Sequence, residues 1–208
     1  MWCRAYDLEL VSVKLVRYAA VMSRPSYHHG DLRAAILSEA AGLVAQRGAD
    51  GVSLRELARE AGVSHAAPAH HFTDRRGLFT ALAAQGFELL AIALAEARPH
   101  FLDAALAYVR FALEHPGHYR VMFDKSLLEP SNPELAAAEA AAGAELSRGV
   151  ASLSDRHAQA DPRGAQLAAW SLVHGFSMLW LDDAVNAGVK AGDPMATVER
   201  IATMLFEE

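Results

Sequence analysis

An all-α fold is what this sequence predicts, and three features carry the prediction. Apolar residues recur three and four positions apart along most of its 208 residues, the period of an amphipathic helix rather than a strand. Only Val11 to Val16 combines alternation with β-branched residues. Pro99, Pro116, Pro133, Pro162 and Pro194 each stand where an apolar-periodic stretch begins, the place where a helix tolerates a residue without an N–H. The expected architecture is a three-helix head near the N-terminus followed by a larger body of five or six helices.

Composition sets the outer limits. With 52% hydrophobic residues the chain can bury a substantial core. Cys3 is its single cysteine, which excludes an internal disulfide and a cysteine-built zinc site and fits a reducing, cytoplasmic setting. Val11 to Met22 is apolar but interrupted by Lys14 and Arg17, so it reads as neither a signal peptide nor a membrane span. Residues 1–22 form an extension with two readings. Met22, followed by the turn-rich Ser23 to Ser26, is an alternative start; otherwise the segment is an N-terminal arm. From Arg24 to Thr80 seven basic residues face six acidic ones, a net of +1, whereas from Ala81 onward nine face seventeen, a net of −8. The body is acidic and the head is not, which permits a small nucleic-acid-binding head on an otherwise acidic protein.

In chain order, Asp31 is placed to cap a first helix whose apolar face is Leu32, Ile36, Ala40, Leu43 and Val44, with Gly48 at the position of a left-handed C-terminal cap. Ser53 and Glu56 form a capping box ahead of Leu54, Leu57, Ala58 and Ala61. Gly62 supplies a tight turn and Val63 fills the gap between helices. Ser64 is expected to cap a third short helix ending near Phe72, and Thr73 or Asp74 to cap the next. Ala136 to Ala144 reads as a helix needing only thin contacts on one side.

Two short helices joined by a glycine turn have the layout of a helix-turn-helix, whose second helix enters the major groove of DNA. The wording of Ser53 to Phe72, SLRELAREAGVSHAAPAHHF, with Thr73, Asp74, Arg75, Arg76, Gly77 and Leu78 after it, resembles the DNA-binding signature of the tetracycline-repressor (TetR) family. The similarity runs from about Tyr27 to Gln85. More weakly, Trp170, His174 and Gly175 in AAWSLVHGF resemble the tryptophan-histidine-glycine signature of one class of C-terminal domain in that family.

The resemblance implies residues 23–85 as a DNA-binding domain and 86–208 as a ligand-binding and dimerisation domain. It places Ser53 and Ser64 as caps whose helix N-termini face phosphate. His65, Ala66 and His70 would lie on the reading face, and His71 and Arg75 would contact phosphate. Two positions depart from the family pattern: Ala69 replaces the usual tyrosine and His70 the more usual arginine. Pro68, four residues past Ser64, sacrifices at most the first intrahelical bond.

In the body, Trp170, His174 and Ser177 share one face of an amphipathic helix, and Tyr119, Met122 and Phe123, in a segment that is otherwise mostly core, are further candidate ligand contacts. Trp170 and Trp180 are open to two readings, packed or cavity-lining, as is His174 between an interior hydrogen-bonded histidine and a ligand contact. Tyr108, Phe101 and Phe111 read as core, some of them pocket-lining. His115-Pro116-Gly117-His118 has the spacing of a metal pair, but Pro116 and Gly117 make it a helix junction, and no metal site is expected. No catalytic motif is present in the sequence and no cofactor is expected.

The predicted protein is therefore a cytoplasmic, non-enzymatic transcriptional regulator. The resemblance implies a homodimer joined through about residues 162–187 and 194–206, a palindromic double-stranded operator, and a repressor released by an unknown small-molecule effector. The alternative is a helical small-molecule-binding protein with weakened or lost DNA binding, for which Ala69 is the sequence indication.

Overall fold

The computed structural model describes residues 29–64, 66–98 and 100–205; the N-terminal extension, Val11 to Val16, His65 and Pro99 lie outside them. By contacts the chain divides into two units, Met1–Ala34 and Ala35–Glu208. The first helix runs across that division, and the later helices all belong to the second unit. No strand occurs among the described residues.

The helix α1, His29–Arg47, begins two residues ahead of the expected cap at Asp31. Ile36, Leu37, Ala40, Leu43 and Val44 are buried along it. Gly48 has the positive φ of 76° that glycine supplies, but its ψ of 169° is extended, so it is not the left-handed cap expected. A 3₁₀ turn, Ala49–Gly51, leads to α2, Leu54–Glu60. Ser53 Oγ accepts from the Glu56 N–H at 3.2 Å. Only that half of the capping box forms as read, because the Glu56 carboxylate accepts instead from the Arg47 guanidinium at 2.5 Å.

Gly62, at φ 66°, turns the chain, and Val63 is half-buried in the gap. The next helix, α3, spans Ala67–Phe72, which corrects the expectation that Ser64 caps it: Ala66 is the N-terminal flanking residue and makes no side-chain cap. The physical reason is Pro68. Starting at Ala67 puts the proline in the first turn, where its missing N–H has no partner to lose.

The body is organised around α4, Arg75–Glu96, which is buried on most of its circumference, from Leu78 to Leu94. Its apolar window is long enough to cross a membrane by length and composition, yet 56% of that window is buried inside the protein, as befits a core helix. Around it pack α5 (Phe101–Glu114), α6 (Pro116–Met122) and α7 (Pro133–Ala151). The chain continues through α8 (Arg156–Ala160), α9 (Pro162–Leu181), α10 (Ala187–Lys190) and α11 (Pro194–Ala202).

Pro116, Pro133, Pro162 and Pro194 each occupy the first helical position, as read. Asn132, Asp161 and Asp193 complete three of those starts by accepting backbone N–H bonds, each such cap contributing about 1 kcal/mol. The alanine-rich stretch of α7 differs from its expectation of thin contacts. Ala138 and Ala142 are buried and α7 packs extensively along α4, because small side chains let the two backbones approach closely.

Candidate functional site

The head presents α2, the Gly62 turn and α3. Ser53, Ser64, Ala66, Ala69 and His70 are exposed and His71 is half-buried. Ala66 accepts the His70 N–H at 3.1 Å, so the two stand one turn apart on the same side. The expected grouping of His65, Ala66 and His70 on the recognition helix is thus reduced to His70 within α3 and Ala66 at its edge, with His65 outside the described residues.

Two residues join α3 to α4. Thr73 has φ 64° and ψ −58°, and the Asp74 N–H donates to Phe72 O at 2.7 Å, a γ-turn that is strained for a β-branched residue. Asp74 then caps α4 by accepting from the Gly77 N–H at 2.8 Å. A Cβ on Gly77 would lie 2.0 Å from Phe72 O, so the end of α3 sits directly on the start of α4.

Arg75, expected to reach phosphate, is half-buried and lies against the segment before α2, 3.5 Å from Asp50 Oδ1. Its Nε donates to Val52 O at 3.1 Å and its guanidinium donates to Ala49 O at 2.8 Å, while lying 4.7 Å from the centre of the Phe79 ring. In this conformation it is a strut that ties the segment between α1 and α2 to α4. Arg76 donates toward Leu128 O and Ser126 O at 3.4 and 3.5 Å, and Thr80 Oγ1 accepts from the Glu129 N–H at 2.9 Å. These bonds attach the top of α4 to the loop between α6 and α7.

The body holds a cavity of about 260 Å³. α4 contributes Phe87, Leu90 and Leu94, α5 contributes Phe101 and Tyr108, and α7 contributes Gly143 and Leu146. Trp170, Leu172 and Val173 of α9 close another side, with Phe123 beyond α6. Of the six residues expected to contact ligand, Phe123 and Trp170 border the cavity. Met122 is fully buried against α4, and Ser177 is buried with its hydroxyl donating to Val173 O at 2.8 Å. Neither borders the cavity.

Tyr119 and His174 stand behind the wall. The Tyr119 hydroxyl lies 2.9 Å from His174 Nδ1 and donates toward His174 O at 3.3 Å, and the Tyr108 hydroxyl lies 3.1 Å from the same nitrogen. The Phe123 ring meets that of His174 edge-on at 4.5 Å. Burial raises Tyr108 to about 12, opposed in part by hydrogen bonding with Tyr119 and Trp170, and burial also raises Tyr119. Both hydroxyls therefore stay protonated, and burial holds His174 below the usual histidine value. Tyr108 is the participant that sequence reasoning left among core aromatics; its polar tip one helix away from His174 has no local sequence signal.

The His115–His118 segment is the helix junction expected, with Pro116 opening α6. His118 donates from Nε2 to Gln85 Oε1 at 3.0 Å. Burial, aided by the charge of His115, lowers it to about 4. Because the unfolded chain protonates this ring first, the stability it confers is complete above about pH 6.5 and is lost as the pH falls toward about 4, a change of roughly 2–3 kcal/mol. Thermal unfolding followed across that window should show the loss, and His118→Gln should flatten it; an unchanged slope in the variant would assign the acid sensitivity elsewhere.

Two family models match the chain: "Bacterial regulatory proteins, tetR family" over residues 36–82, and "Tetracyclin repressor-like, C-terminal domain" over residues 101–205. Among solved structures, a protein of unknown function from Rhodococcus sp. RHA1 is 36% identical, with 87% of this chain and 96% of that chain covered and a TM-score of 0.66. NalD, the secondary repressor of the MexAB-OprM multidrug efflux pump in Pseudomonas aeruginosa, is 24% identical over 86% of this chain and 96% of its own, with a TM-score of 0.57. AibR, solved in complex with isovaleryl coenzyme A and operator DNA, is 17% identical over 84% and 98%, with a TM-score of 0.61. At these identities NalD and AibR are similar in fold alone. A comparison with curated protein sequences gave no match.

Proposed function

Since the chain belongs to the tetR family of bacterial regulatory proteins, and is a DNA-binding transcription regulator, we propose that it is a cytoplasmic repressor that leaves a palindromic operator when a small molecule fills the cavity of its body. The observation that carries the reading is the double duty of α4. Its N-terminal end is joined to α3 through only Thr73 and Asp74, and its middle, at Phe87, Leu90 and Leu94, is cavity wall. A molecule in the cavity therefore bears on the same helix that carries the reading head, the requirement for coupling two sites. AibR, solved with both a small molecule and operator DNA, pairs the same two kinds of partner.

A homodimer completes the reading. Leu167, Met178 and Leu179 of α9 are 60%, 37% and 51% exposed, an apolar stripe that pairing with the α9 and α11 of a second copy would cover. Two heads related by a two-fold axis read an inverted repeat. A monomer by light scattering at micromolar concentration would remove this part of the proposal.

The test is selection of genomic DNA fragments by the purified protein at moderate salt, repeated with His71→Ala. One palindromic motif, recovered by the native chain and depleted in the variant, is the expected outcome. Absence of any enriched motif would instead favour a ligand-binding protein whose head has lost its DNA contacts, with Ala69 the first residue to convert to tyrosine.

A further inference from the structure

The walls of the cavity restrict the chemistry of what enters it, given that the cavity is the effector site. Among its described lining residues there is no lysine, arginine or histidine, and Glu139 is the one ionised group. Its carboxylate accepts from Lys125 Nζ at 2.5 Å. A carboxylate or phosphate inside would find no counter-charge and would face Glu139, while an ammonium would have to displace Lys125; burying either without a partner is costly. An uncharged occupant remains.

The polar anchor is decided by the arithmetic of lone pairs. The Nδ1 of a neutral imidazole makes one well-aligned in-plane hydrogen bond, as acceptor or as donor according to the tautomer. Two hydroxyls converge on His174 Nδ1, Tyr119 at 2.9 Å and Tyr108 at 3.1 Å. Tyr119 is the shorter of the two and also lies 3.3 Å from His174 O, so it is held twice. Tyr108 makes no second contact with His174, and of the two it is Tyr108 that borders the cavity. Its proton can be redirected to an entering acceptor while Tyr119 keeps His174 satisfied.

We propose that the cavity takes a small uncharged molecule of about ten non-hydrogen atoms, sized from ~30 Å³ per water-like unit, apolar except for one oxygen that accepts a hydrogen bond from Tyr108. Neutral ketones, aldehydes and lactones are the class that matches; a whole coenzyme A thioester exceeds the volume.

Full-length protein without DNA is titrated with acetophenone, ethylbenzene, benzoate and benzylamine, following tryptophan fluorescence and thermal unfolding. Acetophenone should bind at least about tenfold more tightly than benzoate or benzylamine, the factor expected for one buried hydrogen bond or charge penalty. Tyr108→Phe should weaken acetophenone by about five- to tenfold and leave ethylbenzene within about twofold. Gly143→Leu places side-chain atoms in open space at the cavity wall and should weaken every neutral probe, which keeps the test informative if Tyr108→Phe folds poorly. Equal binding of benzoate or benzylamine, an unchanged acetophenone affinity in Tyr108→Phe, or no binding of either neutral probe would overturn the proposal. Because no DNA is present, these outcomes are independent of the operator selection, whose failure would count against the regulatory reading alone.

Discussion

Replacing Gly117 by alanine is expected to lower the unfolding midpoint by roughly 10 °C, corresponding to about 3 kcal/mol or more in a domain of this size. Gly117 is the second residue of α6, and a Cβ there would stand 2.0 Å from Ala41 O and 2.7 Å from the carbonyl carbon, in the middle of α1. Neither atom can step aside without moving a helix. Gly86→Ala provides the control. Its Cβ would approach Met122 Sδ at 2.6 Å, Met122 Cγ at 2.9 Å and His118 Cβ at 3.1 Å; these are side-chain rather than backbone atoms, and the buried thioether can repack, limiting the cost to about 1–2 kcal/mol. Differential scanning measurements on the two variants compare a rigid neighbour with a pliable one. Similar losses for both would mean that α1 and α6 have more freedom than their contact indicates.

Arg75→Lys should lose most of the DNA affinity, about thirtyfold, and destabilise the head by about 2 kcal/mol, although the charge is kept. The guanidinium spans Val52 O and Ala49 O with two separate nitrogens and covers Phe79; an ammonium on a shorter, unforked stem cannot satisfy both carbonyls. Binding measured against salt concentration separates this role from a direct phosphate contact. A strut leaves the salt slope nearly unchanged in Arg75→Lys and Arg75→Ala alike, whereas loss of one phosphate contact lowers it by about one in Arg75→Ala and spares Arg75→Lys. A lysine variant that binds operator normally would return Arg75 to the phosphate role that its position in the motif implies.

Much of the helical framework was legible because the signals were local. Four prolines mark helix starts by the chemistry of a missing N–H, Ser53 and Asp74 mark two more by capping an unpaired one, and the glycine turn at Gly62 needs only its own φ. Where the reading failed, a second local signal or a distant partner decided. Ser64 looked like a cap, but Pro68 moved the helix start to Ala67. Arg75 matched a motif position, yet its donors went to carbonyls 23 and 26 residues away. The cavity shows the same limit. Trp170 and Ser177 were read from one helix face and Met122 and Phe123 from one aromatic-rich segment, yet Trp170 and Phe123 border the cavity while Ser177 and Met122 turn into the interior. The Tyr108 hydroxyl reaches His174 across 66 positions of sequence, a pairing that periodicity within either helix cannot reveal.

The joint at Thr73 and Asp74 bears on how a regulator of this construction can be switched off. A γ-turn, a capped start and the close approach of Phe72 O to Gly77 tie the end of α3 to the start of α4 and oppose an independent swing of α3. In kinematic terms the joint is welded, with no play between the tip and the shaft. Disengagement is then a matter of where an intact tip is carried, not of the tip melting or rotating away. Sequence preference is accordingly expected to stay constant with and without effector while occupancy falls, so the effector acts as a volume control rather than a tuner.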